Sequence, residues 1–166
     1  MLSRVPSIEL TVVHVVRDPR AVAHSRNRYK RQVDSGEDRG MTQTSPLRAA
    51  LAWSMWNVGV RSLAGRLPRY MVVRYEDLIA APSRTVARVL ATVGEPDAAT
   101  PFIDGATVTL QPNHTVSGNP SRFNTGDIEL RLDAAWERDM GTLDRRVVTG
   151  ITWPLLGRYG YRTRRG

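Results

Sequence analysis

The residues in this chain best suited to chemistry are an arginine and a serine eight positions apart, Arg17 and Ser25. A guanidinium gives charge-assisted hydrogen bonds to a phosphate, and a serine hydroxyl adds a neutral one. Arg17 stands where an apolar run ends and Asp18-Pro19 begins a helix, because aspartate is a favourable N-cap and proline suits the first helical position. The same local pattern also occurs in proteins that have no phosphate site. An anion-binding turn and an ordinary strand-to-helix turn are both open at this point.

The predicted elements around Arg17 place it at one edge of a sheet, and this position alone does not decide between the two interpretations. Residues 11–16, TVVHVV, form a β-branched run that predicts a buried strand, and residues 70–75 predict a second one. In open α/β sheets, ligands bind outside the carboxyl ends of the strands. A helix N-terminus at the same edge also favours an anion. Arg17 is therefore expected at a ligand-binding edge.

The motif at residues 15–25, VVRDPRAVAHS, resembles the 3′-phosphate-binding motif of sulfotransferases that use PAPS (3′-phosphoadenosine 5′-phosphosulfate). VVRYEDL at 72–78, HTVSGNPSRF at 114–123 and WPLLGRYGY at 153–161 are also similar to that family, so the resemblance covers nearly the whole chain. It implies that Arg17 and Ser25 bind the 3′-phosphate and that Tyr75 contacts the adenine. Familiar members close an Arg-Lys-Gly loop on the 3′-phosphate; this chain lacks that triplet, and Arg122 is the candidate for its role.

The resemblance also implies the fold and the reaction. The expected fold is α/β, a P-loop-like parallel sheet flanked by helices in one domain over residues 1–166. The expected reaction transfers a sulfuryl group from PAPS to a hydroxyl or amine of a small-molecule, glycan or lipid acceptor, without a metal. His114 is a weak candidate for the general base, and a structural role is favoured for it, since the family's base usually comes from an earlier part of the domain.

One departure from the family pattern concerns the 5′-phosphosulfate. In the family a Gly- and Ser/Thr-rich loop ahead of this strand binds that group, and this sequence has no glycine before Gly36. We therefore expect the first strand–loop–helix unit to be missing and the chain to bind the 3′-phosphoadenosine end. Catalysis by the chain alone is expected to be weak. The missing N-terminal half or a second copy of the chain is the expected protein partner.

Composition leaves one alternative from another functional class. The net charge is +8, and 24 residues are Lys or Arg, of which Lys30 is the one lysine. Such a chain could be a non-catalytic basic interaction module for nucleic acid or an acidic partner; nucleic acid is the less favoured partner. There is no cysteine, and the three histidines form no recognisable metal-ligand pattern. The sequence has neither a transmembrane-length apolar stretch nor a signal peptide, so we expect a cytoplasmic protein.

The remaining elements are expected to cover the sheet. Trp53 and Trp56 are expected in the core, and Trp153 is expected to pack against the sheet with Tyr159 and Tyr161. Glu76 and Asp77 are expected to order a loop or cap a helix rather than to act as acid and base. Helices are expected over 19–33, 46–67, 83–93, 127–140 and 145–156, with loop-like sequence over 34–45 and 95–108.

Overall fold

The computed structural model describes residues 9–28, 43–112 and 124–161. Two strands form a parallel sheet, and three short strands form a separate antiparallel one. The elements are β1 (Thr11–Val16), α1 (Pro19–Asn27), α2 (Pro46–Leu63), a 3-10 turn (Ala64–Arg66), β2 (Arg69–Arg74), α3 (Tyr75–Ala80), α4 (Pro82–Val93), β3 (Ile103–Asp104), β4 (Thr107–Leu110), β5 (Gly126–Glu129), α5 (Trp136–Asp139) and α6 (Thr142–Arg158).

The parallel sheet pairs β1 with β2 in register from Thr11 opposite Arg69 to Val16 opposite Arg74. The β-branched valines of both strands suit a pleated, covered surface. Parallel strands need a long crossover connection, and here α1 and α2 lie between them in sequence. Because the two strands run the same way, their carboxyl ends meet at one edge of the sheet.

The core joins β1 to α2 and α6. One cluster contains Val16, Trp53 and Leu156 together with Tyr159 and Tyr161. A second cluster is built from small side chains of α1, α2 and α6, with Ala23, Ala49, Ala50 and Val148 all buried. Small residues let these three helices approach closely behind the sheet. The position of α1, and so of the turn that precedes it, is fixed by this packing.

A buried polar network lies beneath the middle of β1. Asn57 Nδ2 donates to the Trp53 carbonyl at 2.7 Å, so Asn57 Oδ1 is the atom that faces His14 Nε2 at 3.0 Å. His14 Nε2 therefore carries the proton, and Nδ1 accepts from the Tyr70 hydroxyl at 2.7 Å. Burial lowers the pKa of His14, and the positive charge of Arg61 acts in the same direction, against the hydrogen bond with Asn57. The fold thus holds this imidazole neutral.

Local sequence signals account for the helix ends. Asp18 accepts from the backbone N–H of Arg20 at 2.8 Å, and Ser45 caps α2 in the same way. Gly94 ends α4 with φ +92°, a left-handed conformation that favours glycine. The expected helix 19–33 ends earlier, because Asn27 is followed by Arg28 in an extended conformation.

Two expectations about the later elements are wrong. Residues 127–140 do not form one helix, because the start pairs as β5 with β4 and only Trp136–Asp139 is helical. The alternation of Ile128 and Leu130 with polar residues is a strand pattern, and Ile128 lies opposite Val108. The stretch expected as loop over 95–108 contains β3 and the start of β4.

The fold class is mixed α/β, as expected, but the described sheet is less extensive than a P-loop-like one. The parallel sheet consists of β1 and β2. The other strands within the described residues form the separate antiparallel sheet. Among the helices of the described ranges, none combines the length and hydropathy that crossing a membrane requires.

Candidate functional site

Arg17 and Tyr75 follow the carboxyl ends of the two parallel strands directly. Since Val16 lies opposite Arg74, the next residue of each strand is brought to the same place on the edge. The guanidinium carbon of Arg17 lies 4.9 Å from the centroid of the Tyr75 ring, a cation–π contact. The structure therefore brings together two of the residues that the sequence picked out from separate motifs.

The rest of the Arg17 side chain is only loosely engaged. Its Nη2 lies 3.4 Å from the Asp133 carbonyl and 3.5 Å from the Asp133 carboxylate, both long for hydrogen bonds. Its Nε is buried and has no hydrogen-bond partner among the described residues. The backbone of the same residue is held firmly, because Trp53 Nε1 donates to the Arg17 carbonyl at 3.0 Å. Arg17 is thus a fixed anchor with spare donor capacity.

Asp133 is the acidic neighbour of Arg17. Its pKa is lowered chiefly by the hydrogen bond from the Ala135 backbone N–H, at 3.1 Å, and to a smaller degree by Arg17. The Asp133 side chain is about half exposed, at 49%. Such a pair stabilises little because solvent screens it. An incoming anion can therefore compete with Asp133 for the guanidinium.

Asp18 and Arg20 form a buried ion pair beside this anchor. Arg20 donates from Nε and Nη2 to the two carboxylate oxygens of Asp18, at 2.9 and 2.6 Å. The Arg20 guanidinium also lies 4.5 Å from the Trp136 ring centroid. Both charges are engaged with one another, so this pair shapes the turn.

Glu76 braces the same turn from the side of β2. Its Oε1 accepts from the Asp18 backbone N–H at 2.9 Å, and its Oε2 lies 2.7 Å from the Tyr161 hydroxyl. The Tyr161 hydroxyl also lies 3.1 Å from the Val16 carbonyl. Burial and the Glu76 carboxylate raise the pKa of Tyr161 well above its ordinary range, so its hydroxyl remains a donor. This agrees with the expectation that Glu76 orders a loop.

The other predicted site residues are less closely tied to the edge. Ser25 is half-buried in α1; it lies six residues beyond Pro19, which is about 9 Å along the helix axis. Arg122 and the weak candidate base His114 lie outside the described residues.

A cavity of about 930 Å³ adjoins the edge through Asp18 and Asp133. The described residues that line it do not include Arg17, Ser25 or Tyr75. Sequence reasoning missed its walls because they come from widely separated segments, with no spacing that would link them. Its polar and aromatic walls include Arg20, Arg74, Glu76, Trp136, Arg145 and Arg146.

Trp136 and Arg145 give one wall of that cavity its character. The Arg145 guanidinium lies 4.8 Å from the Trp136 ring centroid, and its Nε is buried without a hydrogen-bond partner in the described part of the chain. Among the described residues, no three acidic or histidine side chains are grouped to hold a metal ion. The charged side chains that the structure describes at this edge are therefore arginines and isolated carboxylates.

Comparison with known proteins decides the family. A family model described as the sulfotransferase family matches residues 9–99, which is more than half of the chain. The chain belongs to the sulfotransferase family. The match includes Arg17, Ser25 and Tyr75, whereas Asp133 and the α6 wall of the cavity follow it in sequence.

Two curated relatives are similar to this member of the sulfotransferase family. Carbohydrate sulfotransferase 3 of Mus musculus is 27% identical over 179 aligned positions, covering 96% of this chain and 35% of the mouse protein. Carbohydrate sulfotransferase 3 of Homo sapiens is 29% identical, with 99% and 36% covered. The chain thus spans about a third of the length of these relatives. No solved structure matches the chain.

Proposed function

We propose that this chain binds the 3′-phosphoadenosine end of PAPS and contributes that half of the donor site to sulfuryl transfer. One observation carries the proposal: Arg17 and Tyr75 are in contact at the carboxyl edge of the parallel sheet. A cation and an aromatic ring side by side match the two parts of the ligand, a phosphate and a purine. Membership of the sulfotransferase family gives the reaction class.

The residues at the edge fit such a ligand. The buried Nε of Arg17 has no partner among the described residues, and its contacts to Asp133 are long. Its guanidinium can therefore donate two parallel hydrogen bonds to one phosphate. α1 begins two residues later, and its N-terminus favours an anion in the same direction. Ser25 supplies a hydroxyl from α1, and Arg122 is proposed to close on the same phosphate. Tyr75 is half-buried and offers an aromatic surface to the adenine.

The proposed roles in the mechanism are those of positioning and charge. PAPS, when bound, supplies an activated sulfuryl group for transfer to an acceptor hydroxyl or amine. Arg17 and Tyr75 hold the 3′-phosphate and the adenine, which fixes the orientation of the nucleotide and so of its 5′-phosphosulfate group. The Trp53 and Glu76 hydrogen bonds hold the turn in place before the ligand arrives, so little reorganisation is needed on binding.

The cavity beside the edge is the proposed place for the acceptor. Its volume of about 930 Å³ lies in the range of small-molecule and sugar sites. The names of the two relatives, carbohydrate sulfotransferases, favour a carbohydrate as the acceptor class. Arg145 and Arg146 on α6 would then face polar or acidic groups of the sugar.

Calorimetric titration tests the nucleotide half of the proposal. Adenosine 3′,5′-bisphosphate is compared with adenosine 5′-monophosphate, which lacks only the 3′-phosphate. We expect the bisphosphate to bind about tenfold or more tightly, as a charge-assisted pair to one phosphate predicts. Arg17→Ala should remove that difference, whereas Arg84→Ala, on the exposed side of α4, should keep it.

Two results would contradict the proposal. The first is equal binding of both nucleotides by the folded chain. The second is a preference for the bisphosphate that survives Arg17→Ala. Binding that ignores the 3′-phosphate and falls steeply with salt would instead favour a basic interaction module.

A further inference from the structure

We propose a second, smaller anion site, which takes a tetrahedral oxyanion of the sulfate or phosphate type. It occupies a cavity of about 210 Å³ between β2, α2, α4 and the end of α6. We name it the arginine pocket, after Arg61, Arg88 and Arg158, which line it together with Tyr159. Arg17 does not line it, although Arg74 lines both this pocket and the larger cavity. The proposal does not rest on the nucleotide-binding function.

The charges around the arginine pocket are unbalanced. Four arginines and a single carboxylate line it. The carboxylate, Asp77, lies 3.9 Å from Arg74, so these two charges offset one another. Arg61, Arg88 and Arg158 come from three different helices, and within the described ranges none of the three forms an ion pair. Arg61 is half-buried, whereas Arg88 and Arg158 are exposed. Three guanidinium groups that line one cavity, without an ion-pair partner among the described residues, favour an anion in it.

A buried hydroxyl without a partner points to the same ligand. Tyr159 is only 6% exposed, and its hydroxyl is buried with no hydrogen-bond partner in the described part of the chain. Leaving such a group unsatisfied is costly, and native structures rarely do so. The Tyr159 ring is fixed by edge-on contacts with Trp53 and His14, each 6.0 Å between ring centroids. The hydroxyl therefore stays where it is, and an anion in the pocket would satisfy it.

The protonation state of Tyr159 suits a donor. Burial raises the pKa of its hydroxyl, so the group stays neutral at physiological pH and keeps its proton. Arg61 is near enough to act on the titration of Tyr159, Tyr70 and His14 alike. Asp77 is the acidic group that lines the pocket. A neutral donor beside fixed cations is the arrangement that binds an oxyanion without needing a proton to move.

The size of the pocket selects the ligand class. A volume of about 210 Å³ is below the usual range for a drug-sized or nucleotide ligand. A sulfate or phosphate group fits, and its several oxygens can meet donors that arrive from three helices. The group can be free or carried at the end of a larger molecule, and both have the same chemistry inside the pocket.

Titration with inorganic sulfate, at constant ionic strength balanced with chloride, tests the proposal on the full chain. The readouts are calorimetry and the nuclear magnetic resonance signals of the Tyr159 ring. We expect saturable binding that is about tenfold or more weaker in the double variant Arg61→Gln/Arg88→Gln, because two charge-assisted contacts are lost. The matched control, Arg48→Gln/Arg84→Gln, changes the same net charge on exposed positions of the same two helices and should bind like the unmodified chain.

Three outcomes would overturn the proposal: no saturable binding of sulfate, equal binding by the pocket variant, or equal loss in the matched control. If the double variant does not fold, Tyr159→Phe decides the case, because this substitution removes only one oxygen atom. We expect it to bind sulfate several-fold more weakly. Unchanged sulfate binding would refute the site. A sulfated disaccharide then separates the sources. Tighter binding than inorganic sulfate, still dependent on Tyr159, assigns the anion to a sugar, and equal or weaker binding assigns it to a free ion.

Discussion

Two neighbouring tyrosines near the end of the described chain provide a matched test of how the edge is held. Tyr159 and Tyr161 are both 6% exposed, and the same substitution to phenylalanine removes one hydroxyl from each. The Tyr161 hydroxyl reaches Glu76 at 2.7 Å and the Val16 carbonyl at 3.1 Å. The Tyr159 hydroxyl has no hydrogen-bond partner among the described residues. Equal burial with unequal bonding isolates the contribution of the hydrogen bonds.

The structure sets different magnitudes for the two changes. Tyr161→Phe removes the one hydroxyl proton that lies between the Glu76 carboxylate and the Val16 carbonyl. We therefore expect a loss of about 2 kcal/mol in the free energy of unfolding, within the 1.5–3 kcal/mol typical of bonds to charged groups. For a chain of this size that corresponds to about 4–8 °C in Tm. Tyr159→Phe, measured without sulfate or phosphate, removes an unsatisfied group, and we expect no loss or a small gain.

Urea unfolding followed by tryptophan fluorescence measures both variants. The midpoint should fall for Tyr161→Phe with an unchanged slope, because the surface exposed on unfolding stays the same. The double variant with Glu76→Gln should lose less than the sum of the single changes, since both remove one contact. Equal destabilisation by Tyr159→Phe and Tyr161→Phe would show that the hydroxyl contacts do not hold the edge.

Three further predictions follow from other contacts. Asp133→Asn should strengthen binding of adenosine 3′,5′-bisphosphate by up to about fivefold, because it removes a weak, half-exposed competitor of Arg17; calorimetry measures it, and weaker binding would contradict the competitor role. Trp53→Phe should cost about 2 kcal/mol of unfolding free energy and Trp56→Phe less than about 0.5 kcal/mol, because Trp53 is buried and hydrogen-bonded while Trp56 is 66% exposed. Urea midpoints measure both losses, and similar losses would refute the assignment of Trp53 alone to the core. The pKa of His14 is lowered in the folded state, so its contribution to stability is present above about pH 6.5 and is lost as the pH falls. The difference in unfolding free energy between pH 7 and pH 5 should therefore shrink in His14→Gln. An undiminished difference would exclude His14 as its source.

The strand–turn–helix around Arg17 was predictable because its signals are local. β-branched residues, an N-cap aspartate and an N1 proline each act within a few positions of the chain. The meeting of Arg17 with Tyr75 was also predictable in outline, since parallel strands bring their carboxyl ends together. Trp53 in the core is confirmed, as are Tyr159 and Tyr161.

Other features depend on tertiary contacts that a single sequence does not contain. Trp56 and Trp153 were expected to be covered, and they are 66% and 63% exposed. Trp56 lies three residues after the buried Trp53, and an apolar pattern on several helix faces does not say which face another element will cover. The arginine pocket likewise joins side chains from four helices and a strand, which no local spacing relates.

The contact between Tyr161 and Val16 has a kinetic consequence. The two residues are 145 positions apart in sequence, far more than the 58 positions that separate the paired residues of β1 and β2. Closing such a long loop is entropically unfavourable until the intervening chain is ordered, so we expect this contact to form after the folding transition state. Tyr161→Phe should then leave the refolding rate unchanged and speed unfolding about thirtyfold for a loss of about 2 kcal/mol. On this reasoning the hydroxyl of Tyr161 sets how long the carboxyl edge of the parallel sheet persists once formed, rather than how quickly it forms.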